Sequence, residues 1–182
     1  MAGRTPAEAV NNFLDPLQRV ISCVTKAQLN VKGGYYPTTD EPHALVLADG
    51  LPQKLPGETD LSLVLKQFYY VIRVKDPDRG PWKVSTAEYN YNLRDTDNRV
   101  VLAFHWHPAE VFKVRHPHLP LDRGARLGRE DLHRTHIPTG RITVEDVIRF
   151  IITELGVEPL RNDWESVLSD ARAAHQSWRT WS

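Results

Sequence analysis

Residues 82–107 read WKVSTAEYNYNLRDTDNRVVLAFHWH, two alternating segments on either side of the turn Asp95-Thr96-Asp97-Asn98. In the first segment, apolar or aromatic side chains alternate with polar ones. In the second, bulky apolar side chains alternate with a set of residues that ends in His105 and His107. Strand side chains point alternately to opposite faces, so the pattern predicts two antiparallel strands. Another alternating segment precedes them, from about Leu61 to the Asp76-Pro77 turn. Together the three segments predict an antiparallel meander.

Helical patterns stand at both ends of the chain. Thr5-Pro6-Ala7-Glu8 is a capping box with proline at the first helical position, where the missing N–H costs nothing. Thr143 precedes an apolar stripe that ends at Gly156, and Asn162 or Asp163 caps a second helix with its own apolar stripe. Strands followed by helices predict an α+β fold, with the N-terminal helix and two C-terminal helices packed on one face of the meander. The predicted elements are an N-terminal helix over 6–21, which passes into a strand near Cys23, antiparallel strands over about 23–121, a basic histidine-rich loop over 108–141, and helices over 143–156 and 163–178.

Length and composition predict one domain over 1–182. The 182 residues are 41% hydrophobic, which suits a single core. The chain has 23 Lys and Arg residues and 23 Asp and Glu residues, so its formal net charge is zero. Any electrostatic attraction for nucleic acid must therefore come from a local basic patch. The single cysteine excludes an internal disulfide, and we expect neither a leader segment nor a membrane span. A soluble cytoplasmic protein is the expectation.

Six of the eight histidines lie between positions 105 and 136. His105 and His107 share one face of a predicted strand, roughly 7 Å apart at about 3.3 Å per residue. His116 and His118 repeat this spacing in a segment interrupted by prolines, which favours an edge strand or an extended loop. Histidine titrates near neutral pH and binds metals, so the cluster predicts acid/base chemistry or a metal site.

The segment around these histidines is basic. Between positions 113 and 141 the chain carries seven Lys and Arg residues against three Asp and Glu residues. Arginine offers paired donors that match phosphate oxygens, so a basic loop beside imidazoles favours phosphate recognition, the alternative being an ordinary solvated loop. The candidate substrate-binding residues are Arg115, Arg134, His136 and Arg141. Tyr89 and Tyr91 are interpreted as core or cross-strand residues.

The order of these motifs resembles a known family. Glu88-Tyr89-Asn90-Tyr91, a turn, a strand, a His-x-His segment and a helix beginning Thr143-Val144-Glu145-Asp146 are similar to the TumE family of toxin components from bacterial toxin–antitoxin pairs. The similarity covers residues 62–155 at most, and this chain adds an N-terminal region, an arginine-rich insert and a further C-terminal helix. The resemblance implies a bacterial protein that acts on RNA or on the translation apparatus, with His116 and His118 matching the family's motif and an antitoxin protein as partner.

Three hypotheses account for the cluster. In the first, the chain is a toxin-like ribonuclease without a cofactor, in which one neutral histidine accepts a proton, a protonated histidine donates one and an arginine stabilises the phosphorane. Its candidate catalytic residues are His105, His107, His116 and His118. In the second, the chain is a metal enzyme with zinc or iron, whose candidate ligands are His105, His107, His118 and Glu110. In the third, the histidines are structural and the protein is a non-catalytic interaction module.

Overall fold

The computed structural model describes residues 2–38, 40–75, 80–109, 113–121 and 135–178. Residues 177 and 178 are described by their backbone alone. The alternating and periodic segments of the sequence form the strands and helices that these patterns predict. The fold is α+β with an antiparallel sheet, as predicted. The elements in chain order are β1 (Ala2–Gly3), α1 (Pro6–Ile21), β2 (Leu29–Lys32), β3 (His43–Leu47), β4 (Gln53–Lys54), β5 (Ser62–Arg73), β6 (Trp82–Arg94), β7 (Val100–Trp106), β8 (His118–Pro120), β9 (His136–Pro138), α2 (Val144–Thr153) and α3 (Trp164–Trp178).

The sheet is built around the long pair β5 and β6. Its strand order is β2-β3-β5-β6-β7-β8-β9, while β1 pairs with β6 and β4 pairs with β5. Strands β5 to β9 follow one another in sequence and in space, so the predicted meander is confirmed. The register places Lys66 opposite Asn90, Asn90 opposite His105 and His105 opposite His118. The register therefore places His105 and His118, which are far apart in sequence, side by side on neighbouring strands.

The helices pack against one face of the sheet. Phe13 of α1 lies 5.7 Å from Tyr69 of β5, and Phe150 of α2 lies 6.2 Å from Phe104 of β7, both measured between ring centroids. The buried faces of the helices join the core-facing residues of β3, β5, β6 and β7 in one hydrophobic core. None of the described helices combines the length and apolar character needed to cross a bilayer.

Side-chain caps begin α1 and α2 where the sequence predicts them. The hydroxyl of the N-cap residue Thr5 accepts a hydrogen bond from the Glu8 amide at 3.1 Å. The Glu8 carboxylate accepts one from the amide of Arg4 at 2.9 Å and not from that of Thr5, so the reciprocal half of the predicted capping box is not formed. At α2, Thr143 and Asp146 form a reciprocal capping box. Each cap satisfies amides that the first helical turn leaves without a partner.

Three predicted boundaries are wrong. No strand begins near Cys23, because the chain turns after α1 and the first long-range pairing starts at Leu29. The segment 108–141 is not wholly a loop. β8 lies within the strand region predicted up to about 121 and is an edge strand of the kind expected around His118, whereas β9 is a three-residue strand that was predicted as loop. Helix α2 ends at Thr153, before Gly156. Short strands that contain proline have too few residues for alternation to identify them.

Candidate functional site

A cluster of imidazole rings occupies the edge of the sheet formed by β7, β8 and β9. The ring centroid of His105 lies 5.4 Å from that of His107 and 5.8 Å from that of His118. The ring of His118 in turn lies 6.1 Å from that of His116 and 4.9 Å from that of His136. The structure therefore brings together the four candidate catalytic histidines and one candidate substrate-binding residue. We call His105, His107, His116, His118 and His136 the histidine cluster.

His105 lies at the centre of the cluster and is partly buried. Its Nε2 donates a hydrogen bond to the Oδ1 atom of Asn92 on β6, at 3.0 Å. Burial, followed by the charges of His107, His118 and His136, lowers the pKa of His105 from 6.5 to about 4. The ring is therefore neutral near pH 7, and since its proton is on Nε2, the lone pair is on Nδ1.

His118 is the most buried ring of the cluster, with 4% of its surface exposed. Its Nδ1 donates to the backbone carbonyl of His116 at 2.9 Å, which fixes the tautomer and leaves the lone pair on Nε2. Burial is the main cause that lowers the pKa of His118, while the bond to the carbonyl opposes the shift. The cluster thus contains two neutral imidazoles, each with one nitrogen able to accept a proton.

His107 differs from these two rings because it contacts a carboxylate. Its Nδ1 lies 3.4 Å from Oε2 of Glu88 on β6, close enough for an ion pair when the ring is protonated. Both side chains are largely shielded from solvent. A carboxylate on one nitrogen orients an imidazole and stabilises the imidazolium that forms during proton transfer.

The predicted arginines are distributed unequally around the cluster. Arg115 is exposed in the segment that leads to His116. Arg141 is not with the histidines, since its guanidinium lies 3.7 Å from the centroid of the Trp106 ring, on the side of β7 that faces the helices. Arg134 and Glu110 lie outside the described residues.

Metal ligation by the cluster is not supported by the described geometry. Across the ranges that the structure describes, no group of three or more His, Cys, Asp or Glu side chains is arranged to hold a metal ion. Glu110, one of the four candidate ligands, falls outside those ranges, so the metal hypothesis stays a prediction.

A second group of polar residues is buried between α1, α2 and the sheet, around a chamber of about 30 Å³. Of the residues that line it, the sequence analysis assigned a functional role to Arg141 alone, as a candidate substrate-binding residue. The polar and aromatic side chains that line the chamber include those of Phe13, Gln67, Thr86, Tyr89, Tyr91, Trp106, Arg141, Glu145 and His175. Glu145 reads in the sequence as an ordinary acidic residue of a helical first turn, and a buried glutamine within an alternating strand, Gln67, is the one local sign of the chamber.

Comparisons with known proteins give no relationship for this chain. A scan against family models, a search of curated proteins and a search of solved structures each returned no match.

Proposed function

We propose that the chain is a toxin-like ribonuclease that cleaves RNA by histidine acid/base catalysis without a metal. The observation that carries the proposal is the pairing of a neutral ring, His105, with a carboxylate-bound ring, His107, at 5.4 Å between centroids. Transesterification of RNA needs one group that accepts a proton and another that donates one across a single phosphate. Two imidazoles in different environments supply this pair.

In the proposed reaction, Nδ1 of His105 accepts the proton of a ribose 2′-hydroxyl. The 2′-oxygen forms a bond to phosphorus, the bond from phosphorus to the 5′-oxygen breaks, and protonated His107 donates its proton to that leaving oxygen. The products are a 2′,3′-cyclic phosphate and a free 5′-hydroxyl. A pKa of about 4 makes His105 a weak base, but an anionic phosphate bound beside the ring raises that pKa, because it favours the imidazolium.

Positive side chains near the cluster support an anionic substrate. Lys113 and Arg115 are exposed in the segment that carries His116 and His118. Their charges attract phosphate, and the arginine can donate to two phosphate oxygens at once. RNA as substrate implies a site of action in the bacterial cytoplasm, and the resemblance to toxin components adds a neutralising antitoxin as partner.

The test is cleavage of a short RNA in the presence of EDTA, with products identified by mass spectrometry. We expect a 2′,3′-cyclic phosphate, and no cleavage of the same oligonucleotide with a 2′-deoxy residue at the scissile position. His105→Gln and His107→Gln should each lower the rate about a hundredfold to ten-thousandfold, the usual loss for a general acid or base.

The matched control is His43→Gln. His43 is buried on β3, far along the sheet, where its Nε2 donates to the carbonyl of Tyr36 at 2.7 Å. Its replacement should alter stability without altering the rate per folded molecule. Cleavage of the 2′-deoxy oligonucleotide, or equal losses in the control and the cluster variants, would contradict the mechanism, and absence of any cleavage would favour the interaction module.

Expression in a bacterial host tests the proposal in the cell. We expect growth to slow when the chain is induced and to recover with His107→Gln, because toxicity would depend on the same proton donor. Normal growth at high soluble expression would count against a toxin.

A further inference from the structure

Strand β5 has a second row of side chains on the face of the sheet opposite the helices. Burial alternates along the strand, and the buried residues, among them Leu65 and Tyr69, belong to the hydrophobic core. Phe68 and Tyr70 point to the other face and, among the described residues, are not part of that core. Two aromatic side chains are therefore half-buried on the outer face of the sheet instead of being packed under the helices.

The register places this row on the same face as the histidine cluster. Residues directly opposite each other on paired strands point to the same face, and one such line of residues leads from Lys66 to His105. Phe68 lies opposite Glu88, whose carboxylate contacts His107. Paired strands lie about 4.8 Å apart, so the backbones of Phe68 and His107, two strands apart, are roughly 10 Å from each other. A nucleotide next to one bound at the histidine cluster can therefore place its base on this ring.

A cation accompanies the ring of Phe68. The Nζ atom of Lys66 lies 4.5 Å from the centroid of that ring, and the Lys66 side chain is exposed. On the neighbouring strand β3, the residue opposite Phe68 is Ala44, whose side chain is too small to cover the ring. A nucleobase stacked on an aromatic ring is bound more strongly than a cation over a partly exposed ring. A base can thus replace the ammonium group, which then neutralises a backbone phosphate.

We propose that this outer face binds single-stranded RNA, with Phe68 and Tyr70 stacking on bases and Lys66 contacting a phosphate. The inference rests on the ribonuclease proposed above and narrows its substrate, because the bases of a duplex are stacked on each other and offer no face to a protein ring. Lysine is depleted where proteins bind one another, so Lys66 in the middle of the row favours RNA over a protein partner. The row and the histidine cluster share one face, which gives a strand of RNA a continuous path between them.

The experiment is fluorescence anisotropy on the full chain with a labelled single-stranded RNA whose riboses are all 2′-fluoro, since this probe lacks the hydroxyl needed for cleavage. Phe68→Leu keeps an apolar side chain but removes the stacking surface, and it should weaken binding about five- to a hundredfold. The matched control is Tyr36→Leu, at an exposed aromatic residue between β2 and β3 near the other edge of the sheet. The control should bind like the wild type, and a duplex of the same sequence should bind more weakly and not respond to Phe68→Leu.

Two further measurements keep the test decisive if Phe68→Leu does not fold. A probe with abasic central positions, measured on the wild type alone, should lose about as much affinity as the variant, and Tyr70→Leu should weaken binding of the intact probe. Lys66→Gln should reduce the slope of log Kd against log salt concentration by about 0.7, the value for one contact to a single strand. Lys26→Gln, at an exposed position between α1 and β2, should leave that slope unchanged.

The outcomes separate this inference from the catalytic proposal. Binding that depends on Phe68 and on the bases, without cleavage of the matching RNA, would support the face and contradict the ribonuclease. Cleavage whose KM is unchanged in Phe68→Leu and in Tyr70→Leu would overturn the face and leave the catalytic residues in place. Equal affinity for the duplex, equal affinity for the abasic probe, or no binding of the 2′-fluoro probe would also overturn it.

Discussion

Acid should destabilise this protein partly through His105. The unfolded chain holds a histidine of ordinary pKa, 6.5, whereas burial and the neighbouring histidines lower the folded value to about 4. Between these two pH values the unfolded state binds a proton that the folded state does not. The free energy of unfolding therefore falls as pH decreases from 6.5 to about 4, and His105 has no effect on its pH dependence above that window.

The size of the effect follows from the same two values. A difference of 2.5 units, from 6.5 to about 4, multiplied by about 1.36 kcal/mol per unit gives an upper bound of about 3.4 kcal/mol. The ring is partly exposed to solvent, which screens its interactions. We therefore expect a loss of about 1–2 kcal/mol from this group.

Urea unfolding at several pH values between 7 and 4 measures this loss in the wild type and in His105→Gln. Glutamine can still donate to Asn92, so the variant should fold at neutral pH but lose about 1–2 kcal/mol less than the wild type on acidification. His116→Gln, at an exposed position of the same cluster, is the control and should follow the wild type. Parallel curves for the wild type and His105→Gln would refute the reasoning, because a neutral, desolvated ring at this position must contribute to acid sensitivity.

Three other variants and one treatment test the packing and the chemistry. Ile148→Asp should unfold the domain, since Ile148 is fully buried in α2 and an unpaired buried charge costs several kcal/mol; a melting curve like that of the parent would contradict the helix packing. Trp106→Ala should cost roughly 3–5 kcal/mol in chemical denaturation by leaving a cavity, whereas His107→Ala should cost within about 1 kcal/mol, and the reverse order would mean that β7 faces the other way. Exhaustive treatment with EDTA should leave RNA cleavage unchanged, and loss of cleavage that zinc or iron restores would favour the metal enzyme.

Alternation and capping made most of the fold predictable. The strands β5, β6 and β7 are long enough for period-two patterns to show which face is buried, and Thr5 and Thr143 mark where helices begin. The edge strands were less accessible to sequence reasoning. β8 was expected as an edge strand or an extended loop, and β9, with three residues, is too short for an alternating pattern to identify it.

The candidate site was predictable where it depends on neighbours in sequence and not where it depends on packing. His105 and His107 share a face because they are two residues apart, and this needs no tertiary information. Arg141 was expected beside the histidines because it belongs to the basic segment around them, but its guanidinium lies over the ring of Trp106, on the other side of β7. Glu145 was not distinguished from a solvated acidic residue, because its burial arises only when α1 and the sheet close over the start of α2.

The two faces of β7 depend on each other through register. Tyr89 of β6 pairs with Trp106 in the core, with 6.0 Å between their ring centroids, and the Tyr89 hydroxyl accepts a hydrogen bond from the Ile142 amide at 3.0 Å. A slip of one residue between β6 and β7 would move every side chain of the shifted strand to the opposite face. The aromatic pairs on the helical face oppose such a slip, and by doing so they hold Glu88 beside His107. Packing in the core therefore sets the geometry on which proton transfer at the histidine cluster would depend.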